Sequence, residues 1–156
     1  MSPSASQLPA PSMRGGWFCI PLRVYYEDTD AGGIVYYANY LKYAERGRTE
    51  LLRHLGINQT ALKSESGLIF AVSDCQIRYR LPARLDDLLL VKTKVAALGA
   101  ARIEMVQEIV RDEVRLTEIG VTVASINEAG RPLRMPGPLR AVLENAFDEG
   151  EEGKAV

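Results

Sequence analysis

Between residues 27 and 40 the chain reads EDTDAGGIVYYANY: three carboxylates (Glu27, Asp28, Asp30) lead into a double glycine and then three tyrosines. Acids in such a loop can hold a metal, brace a turn, or act on a substrate as base or nucleophile. Calcium needs oxygen ligands at fixed positions, ending in a bidentate glutamate. Counted from Asp28, position five is Gly32 and position twelve is Asn39, so two ligands are missing and no metal site is expected. A Ser-His-Asp arrangement is also absent. There is no G-x-S-x-G, and the single histidine, His54, stands near the end of an expected helix, where an imidazole serves the helix dipole.

The three acids then part company. Asp28 fits an aspartate that hydrogen-bonds its own turn. Asp30 precedes Gly32 and Gly33, where no Cβ blocks a ligand from the backbone. It also stands just before a helix, whose first amides are unpaired donors that can polarise a carbonyl oxygen. A carboxylate beside such amides suits acyl transfer.

The elements that must position this turn follow from periodicity. WFCIPLRVYYE (17–27) reads as a first strand, with Pro21 at an edge or bulge. From 35 to 55, Tyr40, Ala44, Gly47, Leu51 and Leu55 recur at helical spacing, with Gly56 at the C-terminal cap. Gly47 and Ala44 imply a helix pressed against another backbone, and Arg46 can pair with Glu50 across one turn. Asn58–Ser64 adds a helical turn or two. Runs 68–81, 88–98, 101–111 and 114–127 are strand-like, joined by short links that suit antiparallel neighbours. In the third run, Ile103, Met105, Gln107 and Ile109 share one face. A helix over 138–147 closes the pattern. The order β-α-β-β-β-β-α fits an antiparallel sheet of about five strands curled around one long helix, the α+β hotdog architecture.

Bulk properties set limits. The 156 residues are 47% hydrophobic and 25% charged, ordinary values for a globular chain. We expect one domain over 17–147, with a disordered leader over 1–16 and an acidic tail over 148–156. The tail carries four acids and one lysine against an overall charge of -1. The rest is therefore mildly positive, which gives no reason to expect nucleic acid. Cys19 and Cys75 have no CxxC partner, so a cytoplasmic setting with free thiols is expected. No apolar run is long enough to span a membrane, and the leader has no secretory h-region.

The segment RVYYEDTDAGGIVYYANYLKYAERGRTELLRHLGI (23–57) resembles the signature region of the 4-hydroxybenzoyl-CoA thioesterase-like hotdog family, and most of all its Tol-Pal-associated acyl-CoA thioesterase branch. AVSDCQIRYRLPARLDDLLLVKT extends the likeness, which runs more loosely over about 18–143. The resemblance implies hydrolysis of acyl-CoA to a carboxylic acid and free CoA, with no cofactor. Asp30 falls on the family's catalytic carboxylate, which attacks the thioester or activates water. The amide of Tyr37 falls on the oxyanion donor. Gly32, Gly33 and Val35 are then expected to border the substrate, and Glu45 to orient substrate or water. The chain departs from its branch at Tyr37, where histidine is common and the 4-hydroxybenzoyl-CoA branch has tyrosine; an amide survives either residue, but an imidazole role is lost. The resemblance further implies a homo-oligomer, dimer or homotetramer, with the site between subunits. Arg78, Arg80, Arg131 and Arg134 are candidates for CoA phosphate contacts. A non-catalytic hotdog protein that binds acyl-CoA or an acyl carrier protein is the alternative.

Overall fold

The computed structural model describes residues 8–154, with side chains to residue 146. Six strands alternate their side chains in and out: β1 (Ser12–Arg14), β2 (Trp17–Arg23), β3 (Ile69–Tyr79), β4 (Leu88–Leu98), β5 (Arg102–Arg111) and β6 (Val114–Ile126). They form one antiparallel sheet in the order β1-β2-β4-β5-β6-β3. The inward set includes Phe18, Ile20 and Leu22 of β2, Leu89 and Val91 of β4, and Ile103, Met105 and Ile109 of β5, all buried. Register shifts between Val72 and Asp74, Val95 and Ala97, and Ile109 and Val110 mark bulges. Bulges bend and twist a sheet, and here they help it curl.

Helix α1 (Asn39–His54) lies on the concave face and buries Tyr40, Tyr43, Ala44, Gly47, Leu51 and Leu52. Its end is fixed by a Schellman arrangement: Gly56, at φ 79°, donates to Arg53 O and Ile57 donates to Leu52 O. The Gly56 cap and the apolar stripe are as the sequence predicts. Gly47, however, meets side chains rather than backbone: a Cβ there would lie 2.8 Å from Thr93 Oγ1 and Val91 Cγ1. Beside it the buried Gln107 Nε2 donates to Ala44 O (2.8 Å) and Thr93 Oγ1 (2.9 Å), and Arg48 donates to Gln107 Oε1 (3.0 Å). Every polar group of this amide is thus engaged on a mostly apolar face, tying α1 to β4 and β5.

Four expectations are corrected. The first strand ends at Arg23 instead of Glu27, because Asp28 Oδ2 accepts the Tyr25 amide and closes a 3-10 turn over Tyr26–Asp28. The sheet has six strands: Ser12–Arg14, expected within the leader, folds back as β1 because Gly15 and Gly16 (φ 57° and 84°) supply a two-residue turn that needs positive φ twice. Residues 1–7 of that leader lie outside the described residues. Arg46 does not pair with Glu50; Glu50 pairs with Arg53 on the next turn. Finally, α3 (Gly137–Lys154) runs past Phe147 into the acidic segment expected as a tail, whose glutamates are good helix formers. Residues 155 and 156 of that segment lie outside the described residues. Between α1 and β3, Asn58 caps α2 (Gln59–Ser66) by accepting the Ala61 amide. Pro21 sits on the stretch of β2 beyond the reach of β1, so no partner requires its missing N–H.

Candidate active site

The acidic segment folds into two nested turns. In the first, Asp28 Oδ2 takes the Tyr25 amide, Asp28 O takes both the Tyr36 amide (2.9 Å) and Asn39 Nδ2 (2.8 Å), and the turn is thereby tied to the start of α1. In the second, the Asp30 amide donates to Ile34 O (2.9 Å), the Gly33 amide donates to Asp30 O (3.0 Å), and Gly33 adopts φ 79°. Asp28 thus braces the turn as its type predicts.

Asp30 is exposed, and its Oδ1 accepts the Gly32 amide at 2.8 Å. That bond sets the carboxylate's orientation. Its other oxygen has no hydrogen-bond partner among the described residues. Gly32 therefore acts on Asp30 itself, and a Cβ at Gly32 would come within 3.2 Å of Oδ1.

Tyr37 and Ala38 lead directly into α1. Ala38 occupies the N-cap position with no side-chain cap, and the first turn holds no acid. Such an end leaves backbone donors and the positive end of the helix dipole uncompensated. Neither the Tyr37 nor the Ala38 amide has a hydrogen-bond partner among the described residues.

An apolar groove of about 280 Å³ adjoins this helix start, lined by Ile34, Val35, Tyr37, Tyr40, Tyr79 and Pro82 among others. Tyr37, Tyr79, Tyr40 and Tyr43 stand edge to face in succession, with centroids 6.2, 5.5 and 6.0 Å apart, an arrangement the ring quadrupole favours. Tyr40 Oη accepts the Ala83 amide (3.0 Å), and the Val35 amide donates to Ala83 O (2.9 Å); these bonds hold the link after β3 against the helix start, and its residues Arg80, Leu81 and Pro82 form one wall. Burial raises the pKa of Tyr40 and Tyr79, and that of Tyr43 with added repulsion from the Asp28 carboxylate. The phenols therefore keep their protons at neutral pH. The Tyr43 hydroxyl, although it senses Asp28, has no partner within hydrogen-bonding geometry among the described residues, so the effect acts through space.

Asp30, Gly32, Gly33, Val35 and Tyr37 thus gather around one turn. Val35 faces the core with 2% exposure and meets the groove only at its edge. Glu45 lies apart, about 9 Å along α1 from Asn39 at the usual helical rise. It lines a separate hollow with Arg48, Leu52, Phe70 and Met105 near β3. His54 packs its ring on Phe18 (4.9 Å). Arg80 is paired with Glu118 (2.9 Å). Sequence reasoning missed Tyr79 as a neighbour of the site; the only signal was its place in the family-like RYRLPARLDD segment.

Comparison with known proteins points to one family. The Thioesterase superfamily profile matches residues 32–118. Acyl-CoA thioesterase YbgC of Haemophilus influenzae is 42% identical over 129 residues, covering 82% of this chain and 95% of the relative. A probable thioesterase from Bartonella henselae superimposes with a TM-score of 0.73 at 42% identity, over 77% of this chain and 99% of that one. A 4-hydroxybenzoyl-CoA thioesterase variant complexed with 4-hydroxybenzoyl-CoA shares the fold at a TM-score of 0.77 and 15% identity, over 81% of this chain and 98% of that one. With its antiparallel sheet wrapped on α1 in the hotdog manner, the chain belongs to the thioesterase superfamily.

Proposed function

We propose that the protein is an acyl-CoA thioesterase in which Asp30 supplies the reacting carboxylate and the amides at the start of α1 hold the thioester oxygen. The observation that carries this reading is the pairing of an exposed carboxylate, oriented by the Gly32 amide, with an uncapped helix start whose Tyr37 and Ala38 amides have no partner among the described residues. Two routes conserve the atoms. In one, Asp30 attacks the thioester carbon, CoA thiolate leaves, and water hydrolyses the mixed anhydride. In the other, Asp30 takes a proton from water as the water attacks, and the proton ends on the departing sulfur. Both develop negative charge on the carbonyl oxygen, where preorganised donors contribute most. Supporting an aromatic or apolar acyl group is the tyrosine-lined groove beside the helix start.

The same reading has the site completed by a second copy of the chain in a dimer or tetramer. In favour of it, β3 ends the sheet and its central residues are exposed. Glu45, in its hollow beside β3, then faces the second copy. A cytoplasmic setting accords with the two free cysteines. Among the described residues no helix is long and apolar enough to cross a membrane.

The test is thiol release from a panel of short, long and aromatic acyl-CoAs. Asp30→Asn is expected to lower kcat by about 10²–10⁴ while leaving the oligomer intact. Equal rates for variant and wild type would remove Asp30 from the reaction. Tight acyl-CoA binding without thiol release would favour the non-catalytic alternative.

A further inference from the structure

The start of α1 departs from helical bonding in one detail. The Leu41 amide donates to Ala38 O at 3.2 Å, a tightened i→i−3 bond, so Tyr37 O is released from the helix pattern. That carbonyl instead accepts the hydroxyl of Tyr79, which comes from the far end of β3, at 2.9 Å. Tyr37 O and the Ala38 N–H belong to one peptide unit. The unit is planar and trans, so pinning its oxygen towards β3 fixes its N–H in the opposite direction. The preceding unit is held in the same way: Tyr36 O accepts the Asn39 amide (2.8 Å) and leaves the Tyr37 N–H free.

We propose that Tyr79 is a positioning residue for thioester hydrolysis, its hydroxyl locking the Tyr37–Ala38 peptide so that the Ala38 N–H is a fixed second donor to the thioester oxygen. The proposal rests on the thioesterase reading above. Two further observations and one general effect support it. The Tyr79 ring is braced edge-on by Tyr40 (5.5 Å) and Tyr37 (6.2 Å), so little rotamer freedom is left to lose when the hydroxyl is aimed. Burial, then Tyr37, raises its pKa, so it remains a donor. A hydrogen bond accepted at a carbonyl also polarises the same peptide's N–H and strengthens it as a donor.

Tyr79→Phe removes the hydroxyl and keeps the ring. The expected result is a kcat about ten-fold lower, with KM within about two-fold of wild type and a melting temperature lowered by no more than about 4 °C. In 15N-labelled protein without substrate, the Ala38 amide proton should move upfield in the variant. A wild-type kcat, or a raised KM with kcat intact, would overturn the proposal and leave Tyr79 as a groove wall. An unmoved Ala38 resonance would overturn it even if activity fell. If the wild-type protein releases no thiol, the thioesterase reading fails and the catalytic role of Tyr79 fails with it, while the Ala38 resonance separately decides whether the peptide lock exists.

Discussion

Gly47 carries a constraint larger than its size. Alanine there would gain about 1 kcal/mol of helix propensity. Its Cβ would also lie 2.8 Å from Val91 Cγ1 and Thr93 Oγ1 and 3.1 Å from Gln107 Nε2. Val91 is buried and β-branched, and Thr93 is engaged with Gln107, so neither neighbour can swing aside freely. Overpacking of this kind costs about 1–3 kcal/mol, and a broken Gln107 bond adds about 1–3 kcal/mol. Gly47→Ala should therefore lower stability by roughly 3 kcal/mol, read from the urea midpoint. Pairing it with Val91→Ala should not add the full cost of both changes. A more stable Gly47→Ala would contradict this packing. A mid-helix glycine in a small-residue stripe was visible in the sequence. The neighbours were not, because whether positions 91, 93 and 107 meet position 47 depends on strand register. Asp28 was legible for the opposite reason: its partner, Tyr25, is three residues away. Tyr79 and the peptide it holds are 42 residues apart, and no local pattern links them.

The hairpin turns show the same division between near and far. Between β5 and β6 the chain reverses through Asp112 and Glu113, at φ 50° and 68°. This is left-handed geometry, which aspartate tolerates and glutamate adopts at a cost of roughly 1–2 kcal/mol. Glu113→Gly should raise stability by about 1 kcal/mol, seen as a higher thermal midpoint with unchanged kcat. A lower midpoint would mean that the glutamate side chain contributes more than its strain. The β4–β5 and β5–β6 links were readable as tight turns because long alternating runs flank them. The Gly15–Gly16 turn has the same backbone requirement, yet Ser12–Arg14 is too short and too polar to carry a strand pattern. The register of β2 supplies the information that the three residues lack. The end of β2 is hidden from local pattern in a related way: VYYE has strand composition, and the Asp28 carboxylate competes for its backbone.

Across the whole molecule, the two ends of the sheet differ. At one end lies β1, three residues long, followed by a stretch of β2 that contains Pro21. At the other lies β3, eleven residues with Val72, Asp74 and Gln76 exposed. A long, open edge is a template for pairing with another chain. In the proposed dimer, β3 meets its own copy across a two-fold axis, so a substitution there acts twice. Val72→Lys with Gln76→Lys would set like charges across that axis. Light scattering should then report monomers, and thiol release should fall with them. If the wild type is itself monomeric, this edge is not the interface.

The contrast between the ends also bears on how far such an assembly can extend. Proline and brevity leave the β1 side with few groups to offer an incoming strand. Once two β3 strands have joined, each outer margin of the shared sheet is a blunt one. In the proposed dimer, growth along the hydrogen-bonding direction is then expected to stop at two chains. A larger complex of such dimers would then be built face to face, from the surfaces of paired sheets or of their helices.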